Sequence, residues 1–337
     1  MKSVGYKTPG PISAPHAFVD FTAKKPSPMG RDILVEVKAI SVNPVDAKVR
    51  ASGKPAQGEH KVLGWDAAGI VAETGPDVTL FKKGDAVWYA GSITRPGTNS
   101  EYHLVDERIV GAKPKSISFA EAAALPLTAI TAWEMLFDRL DIRKSVPGAA
   151  NAIVIVGGAG GVGSIAIQLV KVLTDVKVIA TASRPDTVAW VKSLGADFVV
   201  DHSKPLAAEV AALGVGAPAF VFSTNQTDHH FDQIVELIAP QGRFGLIDDP
   251  DMIDVRKLKR KSVSTHWELM FTRAMFGTDD MTEQHRLLNE VAKLVDAGKI
   301  MTTLAEDFGA INAANLKRAH EFIETGRAKG KVVLKGF

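Results

Sequence analysis

The chain has no cysteine among its 337 residues. That absence excludes disulfides, thiolate nucleophiles and cysteine-held zinc together. No apolar run approaches the roughly 18 residues that a membrane-crossing helix needs, and MKSVGYKTPGPISAPHAF lacks the apolar core of a secretory signal. A cytoplasmic protein without a membrane partner is expected. Excess charge is also scarce, since the formal net charge is +2 and basic residues are interspersed with acids. The one dense cationic run, Arg256 to Lys261, has no interleaved aromatics to stack on bases, so it reads as a solvated loop and no nucleic-acid partner is expected. What remains is ordinary for a globular enzyme, with 46% hydrophobic and 23% charged residues. The length exceeds the roughly 250–300 residues of a single core, so two domains are expected.

Residues 151–170, NAIVIVGGAGGVGSIAIQLV, carry the strongest signal. A buried strand leads into Gly158, Gly160 and Gly163 at G-x-G-x-x-G spacing and then into an apolar helix, the context in which this spacing binds a dinucleotide. Gly158 permits the tight turn, Gly160 lets the backbone approach the pyrophosphate, and Gly163 allows close helix–strand packing. The helix N-terminus, with Gly161 and Val162, offers unpaired N–H donors and a partial positive charge.

Upstream, Arg31 to Ile40, Gly69 to Glu73 and Asp85 to Tyr89 read as short strands separated by Gly/Pro turns. Near Ser118, placed as an N-cap, the pattern becomes helical. Beyond the glycine turn, strand and helix alternate: Val176 to Thr181, Thr187 to Leu194, Phe198 to Val200, Ala207 to Leu213, Ala219 to Phe222, Phe231 to Ile238, Arg243 to Ile247 and Ser262 to Trp267. Glu283 to Ala297 reads as an amphipathic helix and Lys331 to Leu334 as a strand returning to the first domain. The expected division is 1–125 with 283–337 as a β-rich domain and 126–282 as a doubly wound α/β domain.

The motifs SVNPVD (41–46), LGWDAAG (63–69), KGDAV (83–87), ALPLT (124–128) and GGAGGVG (157–163) follow in that order. Together they resemble the medium-chain dehydrogenase/reductase superfamily, and within it the zinc-free, quinone-oxidoreductase-like branch that includes proteins called zinc-type alcohol dehydrogenase-like. The resemblance implies an α/β fold, a Rossmann doubly wound parallel sheet plus a GroES-like β-rich domain. It also places Asn43, Trp65 and Leu127 where zinc-dependent members hold their catalytic metal. Those residues are no ligand set for zinc, and Glu59, His60 and Asp66 read more simply as a loop beside a turn, so no metal is expected.

About 20 residues after the last glycine, where NAD-binding relatives carry an acid for the ribose 2′-hydroxyl, stand Ser183 and Arg184, which suit a 2′-phosphate and favour NADP(H). Asp186 is the competing acid, with an N-cap as its simpler role. By resemblance His202 takes the place of a tyrosine lining the adenosine phosphate, against a surface histidine. Ser223, Thr224 and Ile247 end the fourth and fifth strands, at the edge where ligands bind. Lys331 is a further cofactor candidate, and Thr128 or Thr131 is expected near nicotinamide.

The chemistry implied is hydride transfer from NADPH to a quinone or enone, with Asn43 or Lys48 donating to the developing oxyanion. A metal-free alcohol/aldehyde dehydrogenase and a non-catalytic NADPH-binding protein are the alternatives. Trp65, Trp88, Tyr89, Trp267 and Phe271 line a substrate cleft or are simply core, and His229-His230 reads as surface. A homodimer is implied through the last strand of the nucleotide domain.

Overall fold

An unbroken apolar strand needs cover on both faces, and Ala150–Val156 has it at the middle of a sheet. A computed structural model describes all 337 residues and divides them into two units: Met1–Ile130 with Phe271–Phe337, and Thr131–Met270.

In the second unit six parallel strands lie in the order Phe198–Val200, Lys177–Thr181, Ala150–Val156, Pro218–Ser223, Arg243–Leu246 and Ser264–Trp267. Numbered along the chain this is 3-2-1-4-5-6, the doubly wound Rossmann order, in which all strands run the same way and the order of winding reverses on either side of the first strand, between Lys177–Thr181 and Pro218–Ser223. Helices Gly161–Leu173, Pro185–Ser193, Leu206–Ala212 and Thr227–Leu237 make the crossovers. One core gathers Val154, Val156, Ile179, Val221, Phe231 and Phe244. The basic run is a 3₁₀ helix, Val255–Lys261, rather than a loop. Its charges have local partners: Arg256 Nε lies 2.8 Å from Asp254, Lys257 pairs with Asp232, and Lys261 Nζ donates to the carbonyls of Glu236 and Ile238 at the end of helix Thr227–Leu237.

In the first unit the long strand Asp32–Val42 is the hub, pairing antiparallel with Asp66–Thr74, Tyr102–Asp106 and the C-terminal strand Lys331–Lys335. The tail therefore returns to the N-terminal sheet, and the Ser41 hydroxyl donates to Val332 O at 2.7 Å. Ser118 caps helix Phe119–Ala123 as read from sequence: its hydroxyl accepts from Glu121 N at 3.2 Å, and the Glu121 carboxylate accepts from Ser118 N at 2.8 Å. The second boundary falls at Met270/Phe271 instead of 282/283, because Phe271 packs edge-on against Trp65 with ring centroids 5.9 Å apart. Trp65, Trp88 and Tyr89 are core, at most 1% exposed, whereas Trp267 is exposed.

His320, on helix Ala313–Glu324, is fully buried with neither ring nitrogen hydrogen-bonded, and its ring stands edge-on to Phe18 at 4.8 Å. Burial, then the Arg50 charge, pushes the imidazole down to about 3. The folded value lies below the unfolded one of about 6.5, so the stability tied to the neutral ring is complete above that value and is lost as pH falls toward about 3. We predict that His320→Phe gains on the parent by up to about 1.4 kcal/mol per pH unit below about 6.5. Urea unfolding at neutral and mildly acidic pH checks this; a difference between the two proteins that does not change with pH would refute it.

Candidate active site: a glycine turn and a buried ion pair

In the second unit Val156 ends the first strand and the chain turns at Gly157, whose φ is +76°. The left-handed residue is thus Gly157, one position before the glycine that spacing alone singles out for the turn. A Cβ at Gly157 would lie 2.3 Å from Thr224 Oγ1 and 2.4 Å from Asn225 Oδ1, so the strand-four loop closes directly over it. Its N–H donates to Thr181 Oγ1 at 3.0 Å, and Thr224 Oγ1 donates to Val156 O at 2.8 Å. Two threonines from neighbouring strands therefore clamp the turn. Gly158 is needed for packing, since a Cβ there would meet Ala180 Cβ at 2.9 Å. At Gly163 it would meet Gly157 O at 2.4 Å, the close helix–strand approach expected of the third glycine.

Gly160 differs from these. A Cβ there would find only Gly157 O, at 3.4 Å, so its other side is open space. Gly160 is also the N-cap of helix Gly161–Leu173 and brings no side-chain cap. The first backbone bond of the helix runs from Ser164 N to Gly160 O, which leaves the N–H groups of Gly161, Val162 and Gly163 at an uncapped, positively polarised end. An anion of pyrophosphate size suits this place, and the residues fit a dinucleotide.

Ser183 and Arg184 follow strand Lys177–Thr181. Ser183 is exposed, and its hydroxyl lies 3.2 Å from His202 Nε2, so the two adenosine-end candidates are brought together. Arg184 is the N-cap of helix Pro185–Ser193, which puts Asp186 inside the first turn and not at the cap; Arg184 Nε stands 3.4 Å from its carboxylate. Ser223 is buried and bonded to Thr227 Oγ1 at 2.8 Å, and Thr227 N donates to Asp248 Oδ2 at 2.8 Å. Ser223 ends one strand with Thr224 just after it, and Ile247 follows the next, at the carboxyl edge of the sheet. His230, read as surface, is buried; His229 is exposed.

In the first unit Asn43, Asp46, Asp66 and Lys331 form one buried polar cluster. Asp66 Oδ1 accepts from Leu127 N at 2.8 Å, and Oδ2 accepts from Asn43 Nδ2 at 2.9 Å and faces the Lys331 ammonium at 3.1 Å. Lys331 also donates to Val42 O at 3.1 Å and to Asn43 Oδ1. Burial pushes the Asp66 carboxyl up and the Lys331 ammonium down, and their mutual attraction opposes both shifts. Asp46 Oδ2 accepts from Asn43 N at 2.7 Å, its Oδ1 is buried without a hydrogen bond, and burial pushes its carboxyl up to about 7.

Asn43 of this cluster stands, with Trp65 and Leu127, at the positions where the resemblance implies a catalytic zinc in zinc-dependent members, and the donors around it do not fit one. Asn43 offers one amide oxygen already facing an ammonium, Trp65 and Leu127 offer no ligand atom, and a dication at Asp66 would have to displace Lys331. His60 is stacked on Phe21 at 4.0 Å. No group of three or more His, Asp or Glu side chains is arranged to hold a metal ion.

The same geometry corrects two expectations. Asn43 was expected to donate to a substrate oxygen, but it is buried and its amide is committed to Asp66 and the Ser41 carbonyl. Lys331 was expected at the cofactor, but its ammonium is spent on Asp66, Asn43 and Val42. Lys48 is exposed on helix Pro44–Ser52. Thr128 and Thr131 are buried on helix Pro126–Trp133, and the Thr128 hydroxyl donates to Leu125 O at 3.1 Å. Sequence reading missed the roles of Gly157, Thr181 and Thr227. The doubled glycine at 157–158 was the one available signal, since threonine at a strand end or helix start carries no periodicity.

Two family models match the chain: "Alcohol dehydrogenase GroES-like domain" over residues 30–131 and "Zinc-binding dehydrogenase" over residues 194–334. The chain is 39% identical to a zinc-type alcohol dehydrogenase-like protein of Staphylococcus aureus, with 99% of both chains covered. It is 31% identical to a human mitochondrial NAD(P)H oxidoreductase, covering 90% of this chain and 81% of that protein. A crystal structure from Rhizobium etli CFN 42, of a protein named for zinc-dependent alcohol dehydrogenase, superposes with a TM-score of 0.98 at 66% identity, covering 100% of this chain and 98% of that one.

Removing one partner from a buried pair leaves the other charge uncompensated. Lys331→Met should therefore destabilise the protein by about 3–5 kcal/mol, and adding Asp66→Asn should recover a large part of the loss. Chemical denaturation of the three variants measures this; a double variant no more stable than Lys331→Met would show that the pair is not the cause.

Proposed function

The chain belongs to the medium-chain dehydrogenase/reductase superfamily, and from that premise we propose that it is an NADPH-dependent enzyme reducing a quinone or an α,β-unsaturated carbonyl without a metal. NAD(P)-dependent oxidoreductase activity comes with the family. One observation carries the finer reading: an uncapped helix N-terminus beside open space at Gly160, with Ser183 and Arg184 after the adjacent strand.

The backbone N–H groups of Gly161, Val162 and Gly163 hold the pyrophosphate. Ser183 and Arg184 take the 2′-phosphate, for which a hydroxyl and a guanidinium are matched donors where a carboxylate would repel. Ser223, Thr224 and Ile247 line the far end of the cofactor path at the strand ends. Reduced nicotinamide, when bound, supplies hydride. The protein's share is orientation and the charge that grows on the substrate oxygen. With the Asn43 amide spent, that donor role passes to Lys48, and Asn43 positions the start of the helix that carries it. Two features support a pair of copies joined through strand Ser264–Trp267. It is the last strand of its sheet, bonded only to Arg243–Leu246, and Trp267 and Leu269 beside it are exposed.

Purified protein should oxidise NADPH with a simple quinone or enone and keep its full rate after exhaustive chelation. Loss of activity that only zinc restores would overturn the metal-free reading, and tight NADPH binding with no turnover on any acceptor would mark a binding protein instead. Lys48→Met should lower kcat on the order of a hundredfold with NADPH affinity unchanged; unaltered turnover removes Lys48 from the chemistry.

A further inference from the structure

We propose that His202 couples the choice between a phosphorylated and an unphosphorylated dinucleotide to pH, taking up a proton from solvent when a 2′-phosphate arrives at Ser183. The inference rests on the cofactor reading above and deepens it. His202 follows strand Phe198–Val200, and its Nε2 stands 3.2 Å from the same Ser183 hydroxyl that would meet the phosphate. Its Nδ1 is buried and hydrogen-bonded to nothing, so no protein group locks the ring into one protonation state.

The charges around the ring are few. Burial and the Arg184 guanidinium hold it below the usual histidine range, and Asp201 opposes them. Across from it lies the His230 ring, edge-on at 6.3 Å, itself edge-on to His229 at 4.8 Å. Asp228 and Asp248 act on His230 in the raising direction, and His229 and His202 in the lowering one. The imidazole beside Ser183 is thus kept neutral chiefly by lost hydration. A phosphate brings about 1.5 to 2 negative charges and reverses that balance. A ribose 2′-hydroxyl brings none. The proton gained on binding makes affinity for the phosphorylated cofactor rise as pH falls, and leaves the unphosphorylated one unaffected.

The test is the dissociation constants of NADPH and NADH, measured by fluorescence titration from about pH 8 to about pH 6.5, for the parent, His202→Gln and His230→Gln. The parent should show an NADPH:NADH affinity ratio that climbs several-fold over this range, with about tenfold per unit as the ceiling for one proton. The His202→Gln ratio should be flat apart from the cofactor phosphate's own titration, which all three proteins share. A flat parent ratio overturns the proposal, as does a slope that survives in His202→Gln or disappears only in His230→Gln. The two readings fail separately. NADPH bound no tighter than NADH at any pH defeats the 2′-phosphate site, whereas a constant preference for NADPH defeats only the proton coupling.

Discussion

A carboxylate held out of water must be met by donors, and Asp66 is met by three from three separate stretches of chain: Asn43, Leu127 and Lys331. The hydrogen bonds join the end of the hub strand, the start of strand Asp66–Thr74, the first turn of helix Pro126–Trp133 and the C-terminal strand. The arrangement tolerates little change, because each partner that leaves strands a buried charge. It also dictates chemistry. An amide already giving and accepting hydrogen bonds inside the cluster has little left for a substrate, and an ammonium seated on the Asp66 carboxylate would have to leave before a second cation could take its place.

The cluster surrounds Asn43, one of the positions at which the resemblance places a ligand in zinc-dependent relatives. Trp65 and Leu127 offer no ligand atom, and the Lys331 ammonium faces the Asp66 carboxylate at 3.1 Å while burial pushes it down and that carboxylate opposes the shift. In the proposed metal-free reaction the donor is Lys48, exposed on helix Pro44–Ser52, in place of the buried asparagine that precedes the helix.

In the nucleotide-binding unit the governing constraint is steric. Gly157, Gly158 and Gly163 each stand where a methyl group would strike a neighbour, and Gly160 stands where it would strike nothing in the protein. Three glycines thus serve the fold, and the fourth is left, in the proposed function, to the ligand. Spacing made the glycine turn legible because three of the four fall at fixed offsets within one local motif. Gly157 was not legible in the same way, since its need for a left-handed turn arises from Thr224 and Asn225, which are remote in sequence. His230 was misread for a similar reason: a residue early on a short helix shows its buried face only once the neighbouring strand and His202 are in place.

Strand and helix order in the α/β unit, the Ser118 cap, the returning C-terminal strand and the lack of cysteine were all set by the sequence alone. They are local matters of periodicity, capping chemistry and residue type. Only the tertiary structure decided the fates of Asn43, Lys331, Asp46 and His202. A polar side chain's role depends on which donors and acceptors arrive beside it from distant segments, and on whether water is excluded when they do.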